Sequence, residues 1–527
     1  MIFAGAAHPT TLLNARQLTA CMVTTILDCY TDEPSGLGVP PYLGTYPRYL
    51  YGYLDGKAEY LTIDDLRYHA MLQNIAIPDS DIRKHKRRLN RLDLQSKHKE
   101  LKTDIRIKNL TKHPKETRDI IQKTDQLIVV GGVHTPGTYL SALPGTLFEI
   151  NALSKLFDAE KILTGPAVYG TRLEGGKSSE LLNLEGFKVK HFNFPYPELD
   201  ELFMRGASIV HHLPDLRIVE LETSRGCTRW KGCAFCTEPI KNKYEHRSKD
   251  AIINEAKELY RNGIRYFRLG KQSSLYSHPD IIEILKTIRK GCPKLEVLHI
   301  DNVDPLHVIS KRGEEITKAV ATYCTSGNVA AFGVESFDKE VIRENNLIVS
   351  PEVILKAVRI INKWGAHCGA SGLPTYLPGI NLLFGLKGET KATHEENMKF
   401  LKLIFTENLM FRRLNIRQVA LFEGTPLYKD PDAKKSLRKN KKHYWKWRNQ
   451  IRNEVDALML KRVLPIGTVL KKVRMEIYDG NTTFGRQIGT YPLVVGVLQR
   501  LQLGSFYDIS ITGHMLRSVV GKAHETL

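Results

Sequence analysis

The chain has 527 residues, of which 42% are hydrophobic and 25% charged, and it carries a formal net charge of +20. That length exceeds one ordinary domain, and the composition excludes a disordered or collagen-like chain. No apolar run approaches the ~20 residues a membrane-spanning helix needs.

Residues 1–21, MIFAGAAHPTTLLNARQLTAC, lack the basic start of a secretory signal. Met22 opens the strand-like VTTILDCY and is read as the first residue, with 1–21 a mis-set start or an extension. From 22 to 205 short apolar runs alternate with helical stretches. VTTILDCY, QLIVVGG, KILTGPAV and FKVKHFNF predict the strands of a doubly wound, Rossmann-like α/β domain. Residues 83–123 interrupt it as a helical insertion with a net charge of +10.

From 212 to 430 the alternation is regular. RIVELETS, YFRLGKQ, LEVLHIDNV, VAAFGVES, GINLLFG and IRQVALFE read as six strands with helices between them. Right-handed crossovers would close these into a partial (β/α)6 barrel, whose chemistry belongs at the carboxyl ends of the strands. Residues 431–462, including HYWKWRNQIRNE, form a basic helical linker. Residues 463–524 have short strands with Gly and Asp-Gly punctuation and predict a small OB-like β-barrel. Residues 431–480 carry a net +9, so two windows hold almost all of the excess charge. Localised basic surface implies a polyanion, RNA first, with merely solvated faces as the alternative. Tyr444, Trp445 and Trp447 would stack on bases beside Lys446, Arg448 and Arg452. Arg486, Arg517 and His514 would meet phosphates.

Of the eight cysteines, Cys227, Cys233 and Cys236 crowd into ETSRGCTRWKGCAFCTEP; Cys21, Cys29, Cys292, Cys324 and Cys368 are scattered. Such usage suits a reducing cytosol. A structural zinc site takes four ligands, and beyond these three only His246 stands near Cys236. An iron–sulfur cluster with one open iron is the sharper reading; a zinc knuckle and unrelated buried thiols are the others. Cys324 and Cys368 adjoin apolar helical runs and are expected in the core.

On this loop the sequence resembles the radical S-adenosylmethionine (radical SAM) enzymes. The usual spacing is three residues then two; here it is five, TRWKG, then two, AF, with the family's aromatic at Phe235. The resemblance spans 212–430 and implies a 4Fe–4S cluster on Cys227, Cys233 and Cys236 whose open iron chelates S-adenosylmethionine. It implies cofactor contacts from Gly270 in YFRLGKQ, from Gly333, Glu335 and Ser336 in FGVES, and from Gly385, Gly388 and Glu389 in GINLLFGLKGET. Arg268 and Lys271 would neutralise the cofactor's carboxylate. The flanks resemble an archaeal group with an N-terminal cobalamin-binding-like domain and a C-terminal TRAM-like barrel, as in tRNA-modifying radical enzymes. At IVVGGVHTPG a vestigial structural domain and a bound cobalamin are the two readings, and His134 is read as an ordinary turn residue.

The expected protein is therefore a cytoplasmic radical SAM enzyme that methylates or methylthiolates tRNA or another RNA. Methylthiolation is disfavoured because only Cys21 and Cys29 precede the barrel. A reducing donor such as ferredoxin or flavodoxin would supply the electron. A protein substrate and a non-catalytic iron–sulfur RNA-binding protein are the alternatives.

Overall fold

The computed structural model describes residues 22–30, 42–75, 109–132, 144–169, 184–215, 218–347 and 349–524. The first sheet contains β1 (Thr24–Asp28), β2 (Glu59–Thr62), β3 (Gln126–Val130), β4 (Glu160–Thr164) and β5 (Phe187–Val189). Its order is 2-1-3-4-5 and every pairing is parallel. Alternate side chains divide between two cores: Leu27, Leu127 and Val129 enter one, Ile26, Ile128 and Val130 the other. A parallel sheet covered on both faces needs such continuous apolar runs. Strand order reverses between β1 and β3, so a crevice opens at their carboxyl ends, beside Cys29 and Gly131. His134 and most of the basic insertion lie outside the described residues. The insertion's end is the helix Pro114–Lys123, with Thr117, Ile120 and Ile121 buried.

The second layer is a half-barrel of β6 (Ile218–Glu222), β7 (Tyr266–Gly270), β8 (Val297–Ile300), β9 (Asn328–Glu335), β10 (Tyr376–Phe384) and β11 (Arg413–Gln418). All run parallel, as β8-β7-β6 and β9-β10-β11, bridged between Asn302 and Ala331. The six strands anticipated between 212 and 430 are these. One feature escaped the sequence: the two-residue strand Tyr42–Leu43 pairs with β6, so the N-terminal region extends the barrel's edge.

Helix α1 (Thr45–Tyr53) follows that strand and crosses α2 (Tyr196–Gly206) with the two backbones touching. A Cβ on Gly52 would stand 2.0 Å from the Leu202 carbonyl oxygen, and one on Gly206 1.9 Å from that of Arg48. Gly206→Ala should therefore cost about 3 kcal/mol or more, since backbone cannot yield as a side chain can. A urea titration checks this. Arg48 of α1 is fully buried and pairs with Glu255 of α3 (Lys249–Arg261), and Glu255 also holds Arg247 at 2.6 Å.

The C-terminal module is a closed barrel of β12 (Val469–Asp479), β13 (Thr482–Gln487), β14 (Val495–Val497), β15 (Phe506–His514) and β16 (Val519–Ala523). It closes in the order 12-13-14-16-15, and only the β14·β16 contact is parallel. This is the five-stranded closure expected of an OB-like barrel. It docks on the amino-terminal ends of the half-barrel strands. Lys471 N donates to the Ser371 carbonyl ahead of β10, and Lys472 pairs with Glu296 ahead of β8 at 3.2 Å.

Candidate functional site

A cavity of about 800 Å3 runs from the Rossmann-like sheet through the half-barrel to the C-terminal module. Its wall includes Gly165 after β4, Cys227, Cys233 and Cys236 after β6, Glu335 ending β9, Arg413 and Arg417 on β11, and Tyr491.

The three cysteines belong to one excursion of the chain. Its base is stapled by antiparallel pairing of Ser224–Arg225 with Glu245–His246. Gly226 (φ +77°) lets backbones meet, because a Cβ there would lie 2.6 Å from Lys243. Asn345 O accepts from Ala234 N at 2.9 Å, and Ala234 O accepts from Leu427 N at 2.8 Å, so neighbouring loops fix the apex. The five-residue gap supplies Arg229. Its backbone N–H points at Cys227 Sγ (3.4 Å) and its guanidinium at Cys233 Sγ (3.3 Å). Trp230, next along, is 94% exposed. Burial pushes the Cys233 thiol up to about 12 and that of Cys236 to about 11. Thiols so placed keep their protons until a metal takes them. Among the described residues no three of His, Cys, Asp or Glu converge on a single ion site.

Glu335 ends β9 at a bulge between Phe332 and Glu335, with φ +62°. Few non-glycine residues adopt that conformation, and holding one there costs on the order of 1–3 kcal/mol. Its carboxyl makes no hydrogen bond or ion pair among the described residues. Burial, opposed only by Arg417, pushes it up to about 8. Gly333 leaves room beside it: a Cβ there would lie 3.3 Å from Glu335 Oε1. Lys271, after β7, is the other strained wall residue (φ +54°), its ammonium 4.5 Å above the Tyr46 ring from α1.

Phe235, Gly333 and Glu335 thus face the cavity together with the cysteines, and four other expected contacts stand apart from its wall. Gly270 abuts Glu220, whose Oε1 would be 2.2 Å from an added Cβ. The Ser336 hydroxyl accepts from Asp338 N (3.1 Å). Gly385 N donates to Glu389 Oε2 (2.8 Å), and Gly388 lies beside Glu344. Glu389 is thereby turned onto its own loop.

Other expectations are corrected. Arg268 is buried against Asp301 and Glu220, so it is committed within the barrel. Arg486 is fully buried with Glu476 at 2.7 Å, and His514 Nε2 meets the Leu464 carbonyl; neither offers a cation to phosphate. Cys368 is exposed, not core. In α4 (Tyr444–Ile451), Tyr444 and Trp447 are buried while Trp445 is 43% exposed. Tyr444 and the following Arg452 donate to the Ile416 and Leu414 carbonyls, so this helix seals β11's free edge.

Sequence reasoning missed Arg229, Arg413, Arg417 and Tyr491. The alternation of Arg413, Asn415 and Arg417 with Leu414 and Ile416 in RRLNIRQ is a readable strand signal. Tyr491 carries none.

Among known proteins, residues 221–401 match the Radical SAM superfamily. An uncharacterized protein of Methanocaldococcus jannaschii is 40% identical over 94% of this chain and 92% of its own length. The ribosomal protein uS12 methylthiotransferase RimO of Clostridium acetobutylicum is 22% identical over 56% of this chain and 64% of that protein. Among solved structures, the radical S-adenosylmethionine methyltransferase TsrM of Kitasatospora setae, with cobalamin and a [4Fe-4S] cluster bound, aligns at TM-score 0.43. That alignment is 14% identical and covers 77% of this chain and 73% of that one. On the match to residues 221–401, and in keeping with the thiol loop and half-barrel, the chain carries a domain of the radical SAM superfamily.

Proposed function

We propose that this enzyme holds a 4Fe–4S cluster on Cys227, Cys233 and Cys236, binds S-adenosylmethionine across the strand ends, and modifies RNA. The carrying observation is that three thiols and the unpartnered carboxyl of Glu335 face one cavity. The donor set fits in kind: three thiols line one cavity, and Arg229 adds N–H donors to two of the sulfurs. When bound, cluster and S-adenosylmethionine supply reductive cleavage of a sulfonium and a carbon radical able to take hydrogen from substrate.

The protein's own part is positioning. Glu335 offers an acceptor to hydroxyl donors of the cofactor, Gly333 lets them approach, and Phe235 packs the thiol loop against the strands. The cavity's reach to Thr164 and Gly165 supports cobalamin as a further cofactor at the Rossmann-like sheet. Methylation suits the chain better than methylthiolation, which uses a second three-cysteine cluster. The exposed Trp230 beside Lys231 offers a docking point to a reducing partner such as ferredoxin or flavodoxin. For RNA, the support is the basic surface around α4 and the OB-like barrel.

Anaerobically reconstituted protein given dithionite and S-adenosylmethionine should release 5′-deoxyadenosine. Zinc in place of iron, or no release, overturns the enzymatic reading. Comparing tRNA nucleosides from cells with and without the gene then tests the RNA assignment; identical profiles move it to a protein substrate. Arg229→Ala should lower the cluster's reduction potential by about 60 mV, one tenfold step for a one-electron couple, by removing a charge and an N–H donor from the sulfurs. Redox titration followed by electron paramagnetic resonance reads it.

A further inference from the structure

Arg413 is half-buried at the cavity wall, with an aromatic ring as its neighbour. It lines the cavity, its guanidinium lies 4.2 Å from the centre of the Tyr491 ring, and its stem packs against the space left by Gly379. Among the described residues it donates no hydrogen bond and has no carboxylate within ion-pair distance. Tyr491 is held from below: its hydroxyl donates to Asp301, its carbonyl accepts from Arg412 (3.2 Å), and the preceding Thr490 N donates to His299 Nδ1 (3.1 Å). The C-terminal barrel thus builds the cavity floor and sets a flat guanidinium upon it.

Arg413 is not isolated in sign. Arg417 stands four residues further along the same strand face, about 13 Å toward the cofactor end. On the outer side Arg517, from the C-terminal barrel, is exposed and has no hydrogen bond or ion pair among the described residues. It feels the charges of Arg452, Arg413 and Arg448, with Asp456 the one opposing carboxylate. Arg448 in turn lies 5.3 Å from the ring centre of the half-exposed Trp445. Three separate parts of the chain, β11, α4 and the C-terminal barrel, therefore bring like charges together, with Asp456 opposing Arg517 and Asp301 opposing Arg413. Crowding of this kind is costly unless an anion is expected.

We infer that Arg517, Arg448, Arg413 and Arg417 form a phosphate track along the half-barrel's edge strand, leading a single-stranded RNA segment from the C-terminal barrel to the cofactor end, with Trp445 stacking on a base at its mouth. This rests on the RNA reading above and gives it a route. Planar forks suit phosphate oxygens, and an aromatic beside a row of cations suits unpaired bases better than carboxylate side chains. It also resolves a geometric difficulty: the OB-like barrel sits at the strand end opposite the thiol loop, so a substrate held there needs a path up β11.

The test uses the full-length protein, a fluorescently labelled mixed-sequence single-stranded RNA, and polyglutamate as competitor. Arg448→Ala/Arg517→Ala should weaken RNA binding about tenfold or more and reduce the slope of log K against log salt by about two. Trp445→Ala should weaken binding and leave that slope unchanged. Arg413→Lys keeps the charge and loses the fork, so it should still lower RNA affinity several-fold at an unaltered melting temperature. Unchanged affinity and slope in these variants, with wild type binding RNA, overturns the track and spares the RNA reading. Wild type that binds no RNA overturns both, and polyglutamate displacing RNA at equal charge assigns the track to an acidic peptide instead.

Discussion

Replacing Glu255 by glutamine should lower the unfolding free energy by about 3–5 kcal/mol, the cost of breaking a buried ion pair by removing one partner. Glu255 is completely buried and takes both Arg48 and Arg247, whose side chains are buried as fully. Arg247 also pairs with Asp200 at 2.7 Å and feels the charge of Glu222. Glutamine would leave two guanidinium groups without the acid they share, inside the joint where α1 and α2 meet the half-barrel. Burial by itself would raise the Glu255 carboxyl, yet Arg48 and Arg247 outweigh it and hold the group below its ordinary 4.5. A depressed folded value contributes stability above the unfolded one and loses it as pH falls through the folded one. Wild type should therefore lose stability below about pH 4.5 more steeply than the glutamine variant. Urea midpoints across acid pH check both statements. Glu352→Gln, at an exposed pair with Lys339, is the control and should change little.

This joint also shows where sequence reading stops. The half-barrel was legible because each strand is a compact apolar run and each helix repeats on a helical period, as in PEVILKAVRIINKWG. The small barrel was legible through its turns, Gly480 (φ +58°) following Asp479 between two strands. Strand β2, EYLT, was not: four residues beside a turn give no period to count. Nor was the edge strand Tyr42–Leu43, which exists only because β6 offers it a partner. For the site, spacing revealed the three thiols, since ligands within one loop are close whatever the fold. It says less about contacts that tertiary packing decides. Ser336, Gly385 and Gly388 sit in the expected segments, where Ser336 Oγ accepts from Asp338 N, Gly385 N donates to Glu389, and Gly388 lies beside Glu344. Tyr444 and Trp447 read as nucleic-acid aromatics because their segment is basic, whereas a free strand edge needed covering and took them. Tyr491 reaches the cavity from a different module, and no local pattern encodes that.

At Glu335 the expected effect on stability has the opposite sign, and an effect on cofactor binding joins it. Its carboxyl is raised from 4.5 to about 8, so the folded, ligand-free protein keeps a proton that the unfolded chain releases. Stability should then fall as pH rises from about 4.5 to about 8 and level off above. Glu335→Gln removes that loss and should stabilise the ligand-free protein by about 1–3 kcal/mol above pH 8, the cost of an unsatisfied buried polar group, while changing little in acid. The same substitution should weaken S-adenosylmethionine binding about tenfold or more above pH 8, where an ionised acceptor facing the cavity is lost. Glu335→Gly separates backbone from side chain: relief of φ +62° adds stability at every pH, and binding still fails. Calorimetric melts at acid and alkaline pH, with equilibrium dialysis of S-adenosylmethionine, read the two effects. A glutamine variant that melts lower in alkali would mean the carboxylate has a partner within the fold. One that binds S-adenosylmethionine as wild type does would remove Glu335 from the cofactor site, and a strained, half-buried acid kept at a stability cost would then need another ligand to justify it.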